Sequence, residues 1–333
     1  MVEQAYYSKQ KKTIRAFKLS SGIESHSYST GLQRAMVDFG IDEAFNTAES
    51  KLYEHYGIKL PISGIRTTTL HHAKRVKLNQ DQIIAKDSFT LNNASSLVSE
   101  TDGSMVPIIE RDPKSKDKRK GKKAIYREAR LSLAHEVGSL TLKFSGEICN
   151  TSKAGLHMQY CARLAGFNSK TEVHAVGDGA LWIAEEVDSQ FGSQAKYLVD
   201  FYHVSEYLAA ASSECAKIEP KKWLHAQQSL LKCGHYKTVI KNLEEYAMAN
   251  PNSATDKCYK YLKKRKHQLH YDKAIKHGLP IGSGEIESAH RYIIQARLKI
   301  AGAWWDEGNA NSMIAMRTHR ANGQWQQYWD KVA

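Results

Sequence analysis

Two aspartates, each followed by a glycine, and two glutamates that open a late helix are the residues of this sequence best suited to chemistry. They are Asp102-Gly103, Asp178-Gly179, and Glu285 and Glu287 behind Pro280-Ile281-Gly282-Ser283-Gly284. Carboxylates brought together from distant parts of a chain can hold two magnesium ions against a phosphodiester, where one nucleophilic oxygen is activated and one leaving oxygen neutralised. Magnesium takes few protein oxygens and completes its octahedron with water and phosphate, so glycine beside each acid leaves backbone that a phosphate can approach. Each signal is weak alone, because Asp-Gly is also a common turn and acids are favoured in any first helical turn by the helix dipole. The apolar stripe Ile286, Ala289, Ile293, Ala296 and Ile300 leaves Glu285 and Glu287 on opposite flanks, about 200° apart. One metal site cannot take both, and periodicity does not choose between them.

Other polar groups could assist. Asp200 is the main rival for an acidic role, although it sits in an apolar run. His203 and His290 could position water or phosphate, whereas a lone histidine is more often a structural donor. Arg291, Arg297 and Lys299 continue the glutamate helix and could hold phosphates. Trp304 and Trp305 could stack on an unpaired base, although core packing suits at least one of them better.

The elements that must position these groups follow from hydrophobic periodicity. From Thr30 to about Asn79 the pattern is helical: Leu32, Ala35, Met36 and Phe39, then Ala44, Phe45, Ala48, Leu52 and Tyr56 recur at spacings of three and four. Asp42 is a candidate cap for the second of these helices, which Gly57 ends. The segment Ile62 to Lys77 carries Arg66, His71, His72, Lys74, Arg75 and Lys77, so the pair resembles a helix-turn-helix with a basic second helix, and Arg66, Lys74 and Arg75 are expected on DNA. A plain helical bundle with a solvated basic face is the blander alternative.

Near Leu97 the texture changes to strands. Leu97 to Ile109 reads as the first strand. Arg111 to Lys123, where eight of thirteen residues are Lys or Arg, reads as a mobile loop. Ile125 to His135 and Leu140 to Phe144 alternate as two further antiparallel strands. Ala154 to Leu164 then reads as a helix, Val173 to Asp178 as a strand, Leu181 to Phe191 as a helix and Tyr197 to Tyr202 as a strand. Three antiparallel strands, then helix, strand, helix, strand is the order of a ribonuclease H-like mixed sheet. The expected class is therefore α/β, with a helical insertion and a small all-α region ahead of the sheet. Expected divisions are residues 1–92 (helical, helix-turn-helix-like), 93–203 (first part of the core), 204–276 (helical insertion) and 277–333 (final part, with the glutamate helix).

Composition favours a polyanionic partner. In 333 residues, 48 Lys+Arg against 35 Asp+Glu give a formal charge of +13, which points to nucleic acid or an anionic membrane surface. No apolar run spans a bilayer and the first residues lack a secretory pattern, which removes the membrane. Five cysteines without a Cys-x-x-Cys pair suggest reduced thiols in a cytoplasmic protein without structural zinc.

Four ordered motifs add a resemblance: Thr101-Asp102-Gly103-Ser104; Gly177-Asp178-Gly179-Ala180-Leu181-Trp182-Ile183; Asp200-Phe201-Tyr202-His203; and Pro280-Ile281-Gly282-Ser283-Gly284-Glu285-Ile286-Glu287-Ser288. Together with Arg297-Leu298-Lys299 and Gly302-Ala303-Trp304-Trp305, they resemble bacterial insertion-sequence transposases of the Asp-Asp-Glu type, related to the Mutator superfamily. The likeness runs from about Leu97 to the carboxyl terminus. It implies Asp102, Asp178 and Glu287 as catalytic acids and metal ligands, with Asp200 structural. It further implies two Mg2+ ions per site, Mn2+ as a substitute, and double-stranded DNA, both transposon ends and target, as partner. The protein would act in the bacterial cytoplasm, on the nucleoid, as a homodimer or larger assembly. Family members often carry paired cysteines near the amino terminus, and this sequence has none. Two rivals stand beside this reading: a catalytically silent DNA-binding regulator derived from such an element, and a recombinase with a covalent tyrosine or serine, for which no arginine cluster speaks.

Overall fold

The computed structural model describes residues 5–7, 13–15, 28–86, 93–112, 114 and 121–332. Strands β1 (Ala5–Tyr7) and β2 (Thr13–Arg15) pair antiparallel. Helix α1 (Thr30–Asp42) starts where the Ser29 hydroxyl accepts from Leu32 N, and α2 (Phe45–Tyr56) ends at Gly57, whose φ of 66° closes the last turn. Asp42 does not cap α2. It is the last residue of α1 and pairs instead with Arg317 and Arg320. Helix α3 (Ile62–Lys86) buries Val76, Lys77 and Gln80 and runs past the expected end near Asn79.

The central sheet contains β3 (Ser96–Arg111), β4 (Lys122–Glu136), β5 (Lys143–Ile148), β6 (Glu172–Gly177) and β7 (Ala195–Val199), in the order β5-β4-β3-β6-β7. The pairs β3–β4 and β4–β5 are antiparallel, while β3–β6 and β6–β7 are parallel. This mixed α/β arrangement is consistent with a ribonuclease H-like fold. Because the chain leaves β3 on one side and returns to its other side as β6, the order switches between those strands, and open sheets of this kind receive ligands at the carboxyl ends beside such a switch.

Two strand boundaries differ from the sequence pattern. The segment holding Leu140 is not strand: Leu140 is 96% exposed, and β5 begins at Lys143, where Phe144 first faces the core. The apolar run from Tyr197 stops at Val199, because the Asp200 carboxylate accepts from Tyr202 N and His203 N and thereby starts a helix. Of the expected basic loop, Arg111, Lys122 and Lys123 belong to β3 and β4, while most of the remainder lies outside the described residues, as does the expected boundary near residue 92.

Helices cover both faces. Helices α4 (Thr151–Leu164) and α5 (Leu181–Phe191) bury Met158, Cys161, Ile183 and Val187 against Leu97, Ala134 and Val173. Helices α6 (Phe201–Cys215), α7 (Pro220–Lys232), α8 (Tyr236–Ala249), α9 (Ala254–Lys264) and α10 (Tyr271–Lys276) form the insertion, which has its own core of Val204, Leu208, Leu231, Val239, Leu243 and Leu262.

The second face receives α11 (Gly284–Ala289), which runs on through the π-helical His290–Gln295 to Ala296–Leu298, and α12 (Glu307–Ala321). α13 (Trp325–Val332) follows. The wider π turn accommodates an extra residue and shifts the buried stripe, so that Ile294, Arg297 and Leu298 lie inside while Ala296 is exposed. The amino-terminal helices join this layer: Val37, Ile41, Ala73 and Val76 share a core with Val106, Leu131, Ile293 and Met313. All five cysteines are free. No described helix is long and apolar enough to cross a membrane.

Candidate active site

Register brings the two aspartates together. β3 and β6 pair in parallel up to Glu100 with Val176, an offset of 176 − 100 = 76, and Asp178 follows Asp102 by the same 178 − 102 = 76. Neighbouring strands lie about 4.8 Å apart and alternate residues share a face, so Asp178 emerges beside Asp102 where β6 ends. β7 continues the row: Gly177 pairs with Val199, and Asp200 follows Asp178 by the same 22 residues (199 − 177 = 22; 200 − 178 = 22). Beyond Glu100, β3 continues with β4 as its strand partner. That free edge tolerates Pro107.

Charge at Asp102 is poorly solvated. Burial pushes its carboxyl above the ordinary range, and the charges of Asp178 and Glu128 push the same way. Opposing them, the Gly103 N–H donates to Asp102 Oδ1 at 2.7 Å and His290 lies close by. His290 is 1% exposed. Its Nε2 donates to the Asp102 carbonyl oxygen at 3.0 Å, and its Nδ1 has no partner among the described residues. Burial lowers the His290 pKa, while Asp102 raises it.

The Asp178 loop is clamped by the insertion. Asp178 Oδ1 accepts from Ala180 N at 2.8 Å. From α9 and the residue after it, the Tyr261 hydroxyl donates to the Asp178 carbonyl and Arg265 Nε to the Gly179 carbonyl, each at 2.6 Å. Arg265 stacks on Tyr261 at 3.9 Å, and Tyr261 on Tyr207 at 4.2 Å. Gly179 has φ of 85°, and a Cβ there would meet Tyr261 Oη at 2.4 Å, so both backbone and space require glycine.

The glutamates separate by environment. Glu285 Oε2 lies 2.9 Å from His135 Nε2 on β4. Glu287 precedes His290 by three residues, a spacing that puts both on one helical flank, and His290 faces Asp102. The Glu287 carboxylate accepts from Arg291 at 2.5 Å. Among the described residues no three His, Cys, Asp or Glu side chains converge closely enough to hold a metal ion. The pair Asp102 and Asp178 nevertheless suits Mg2+, which commonly takes one or two carboxylates and leaves the other positions to phosphate and water. Burial of uncompensated negative charge at Asp102 is the feature a cation would relieve.

The remaining expected residues disperse. Asp200 is a structural clip: besides starting α6, its Oδ2 accepts from Ser283 N and Oγ, both at 2.6 Å, tying the glycine loop ahead of Glu285 to the insertion. His203 lies 3.6 Å from Glu206 and packs edge-on against Tyr261. Arg291 and Lys299 are exposed. Arg297 is not available to phosphate: it is 2% exposed, donates to the Gly40 carbonyl, and lies over Phe45 and Trp305. The π turn accounts for that departure from the expected helical face. Trp304 is half-exposed, near Tyr126, whereas Trp305 is buried and pads the free edge of β3 through Ile109 N and Pro107 O. Arg66, Lys74 and Arg75 are exposed along α3.

Three groups were missed from the sequence. Glu100 lies two residues before Asp102 on the same strand face. It is 1% exposed, accepts from Ile286 N at 2.9 Å, and is pushed up to about 8 by burial. Strand alternation could have flagged it. Tyr261 and Arg265 have no local signal, because their contacts join residues 83 and 86 positions away.

No family model and no curated protein matches the sequence. Among solved structures, the Drosophila P element transposase strand transfer complex aligns with 95% of this chain and 83% of that one, at 10% identity and a TM-score of 0.31.

Proposed function

We propose that the chain is a DNA transposase of the Asp-Asp-Glu type, which cleaves at transposon ends and joins the freed 3′ ends to target DNA. The observation that carries this reading is the side-by-side emergence of Asp102 and Asp178 by strand register, at a switch point of the sheet. Asp102 and Asp178 would hold magnesium, with Glu287 joining them once released from Arg291. Bound magnesium supplies activation of the attacking oxygen and neutralisation of the leaving one. The protein's own residues position: His290 fixes the backbone at Asp102, Tyr261 and Arg265 fix that at Asp178, and exposed Arg291 and Lys299 would meet phosphates. Catalysis then rests on positioning and charge, as in phosphoryl transfer generally. Double-stranded DNA is the partner, and pairing of two ends calls for a dimer or larger assembly.

The test is magnesium-dependent cleavage of DNA from the flanks of the gene, comparing the natural protein with Asp178→Asn at equal DNA occupancy. Cleavage by the natural protein alone, leaving a 3′-hydroxyl and no covalent adduct, supports the reading. One observation favours a second: Glu287 is engaged by Arg291 and not by the aspartates, as a silent DNA-binding derivative would tolerate. Binding by both proteins with cleavage by neither selects that regulator.

A further inference from the structure

A cleft of about 780 Å3 lies between the sheet and the insertion, away from the carboxylates. Its basic side chains come from separate elements: the lysines Lys170 ahead of β6, Lys196 on β7 and Lys273 within α10, with His267 and His270 before α10 and His277 after it. Glu172 is the one carboxylate among its lining residues. None of the three lysines forms an ion pair with a described residue, and all three are exposed. Three lysines against one carboxylate raise the local potential, which a polyanion relieves.

The cleft has a fixed relation to the aspartates. His174 lines it and pairs across the sheet with Lys196. His174 precedes Asp178, the first residue past β6, by four positions, or about 13 Å at ~3.3 Å per residue. That is the rise of about four base steps of duplex DNA at ~3.4 Å each. His174 Nε2 donates to the Pro280 carbonyl at 2.8 Å, and Leu279 lines the cleft, so the loop before the glutamate helix borders it.

We propose that this cleft binds the phosphodiester backbone of DNA about four steps from the strand position at Asp102 and Asp178. The inference rests on the reading of the chain as a DNA-processing enzyme and adds to it a second contact, shared by the core and the insertion. Lysines bind phosphate as point charges without reading sequence, which suits a contact that fixes register. A free nucleotide fits less well: its phosphates are usually cradled by glycine-rich backbone at a helix start, and no glycine lines this cleft.

The experiment measures binding of a fluorescent duplex of about thirty base pairs across KCl from about 50 to 200 mM. It compares the natural protein with Lys170→Ala/Lys196→Ala/Lys273→Ala. A control of equal charge loss, Lys221→Ala/Lys237→Ala/Lys241→Ala, removes exposed insertion lysines that do not line the cleft. Each lost phosphate contact lowers the salt slope by about 0.9, so the cleft variant should lose about 2.7 of slope and more than tenfold in affinity at the lowest salt, with the control near the natural protein. All three proteins should keep the same melting temperature, because the substituted side chains are exposed. Equal slopes for the cleft variant and the control overturn the proposal. Competition by ATP or inorganic phosphate at micromolar concentration overturns it in favour of a small-anion site. A natural protein that binds no duplex overturns it together with the reading beneath it, whereas equal slopes with magnesium-dependent cleavage retained overturn the cleft contact alone.

Discussion

Replacing Glu100 by glutamine should change how stability depends on pH. The Glu100 carboxyl is 1% exposed, has one oxygen without a described partner, and is pushed up to about 8 by burial, with the Glu285 and Asp200 charges acting in the same direction. Its ordinary value is 4.5, so the native state keeps a proton that the unfolded chain releases. The linked stability is whole below pH 4.5 and is lost as pH rises towards 8. At ~1.4 kcal/mol per pH unit the interval is worth about 5 kcal/mol, and water entry on ionisation reduces this to roughly 2–5 kcal/mol. Glutamine keeps the acceptor for Ile286 N and cannot ionise. In urea unfolding without divalent cations, the difference between Glu100→Gln and the natural protein should therefore grow in favour of the variant between pH 5 and 8.5. Parallel profiles would refute the claim that Glu100 is held neutral by its surroundings.

Further predictions concern the site and its supports. Glu287→Gln should abolish cleavage while Glu285→Gln largely spares it, measured as magnesium-dependent nicking at matched occupancy; equal loss would contradict the assignment by helical flank. Tyr261→Phe removes one hydrogen bond to the Asp178 backbone, so it should cost about 1 kcal/mol of stability and raise several-fold the Mn2+ concentration that half-saturates binding by calorimetry. An unchanged Mn2+ titration would mean the clamp does not position the acid. Gly179→Ala should cost about 1–3 kcal/mol in unfolding experiments, from positive φ and the approach of Tyr261. Arg297→Met should destabilise by about 2–4 kcal/mol and leave the salt slope of DNA binding unchanged, whereas a shallower slope would mean that the buried guanidinium reaches phosphate.

The sheet was legible because its strands alternate cleanly and its parallel pair keeps a constant offset. The 76-residue spacing from Asp102 to Asp178 is the register of β3 on β6 carried two residues past their last pair. Strand ends were less legible, since Asp200 lies in an apolar run and only its two amide contacts reveal a helix cap. The burial of Arg297 was hidden for a different reason. Helical periodicity assumes about 100° per residue, and one π turn displaces every position after it. Contacts across the insertion had no signal at all, because Tyr261 and Arg265 act on backbone carbonyls, which carry no residue identity.

The same contacts bear on why the insertion is placed where it is. It enters after β7, directly behind Asp200, and returns through the loop that Asp200 holds by Ser283. It therefore touches the backbone at Asp178 and holds the loop ahead of Glu287, two of the three acids proposed for the site. Insertion and core also supply opposite walls of the basic cleft. A phosphate backbone held there would load the insertion against the sheet, and the hydrogen bonds of Tyr261 and Arg265 would carry that load to Asp178. Binding of DNA and alignment of the acids would then share one set of contacts. On this view Tyr261→Phe should weaken the stimulation of Mn2+ binding by duplex DNA more than it weakens Mn2+ binding alone. Equal losses with and without duplex would leave the clamp as a static support.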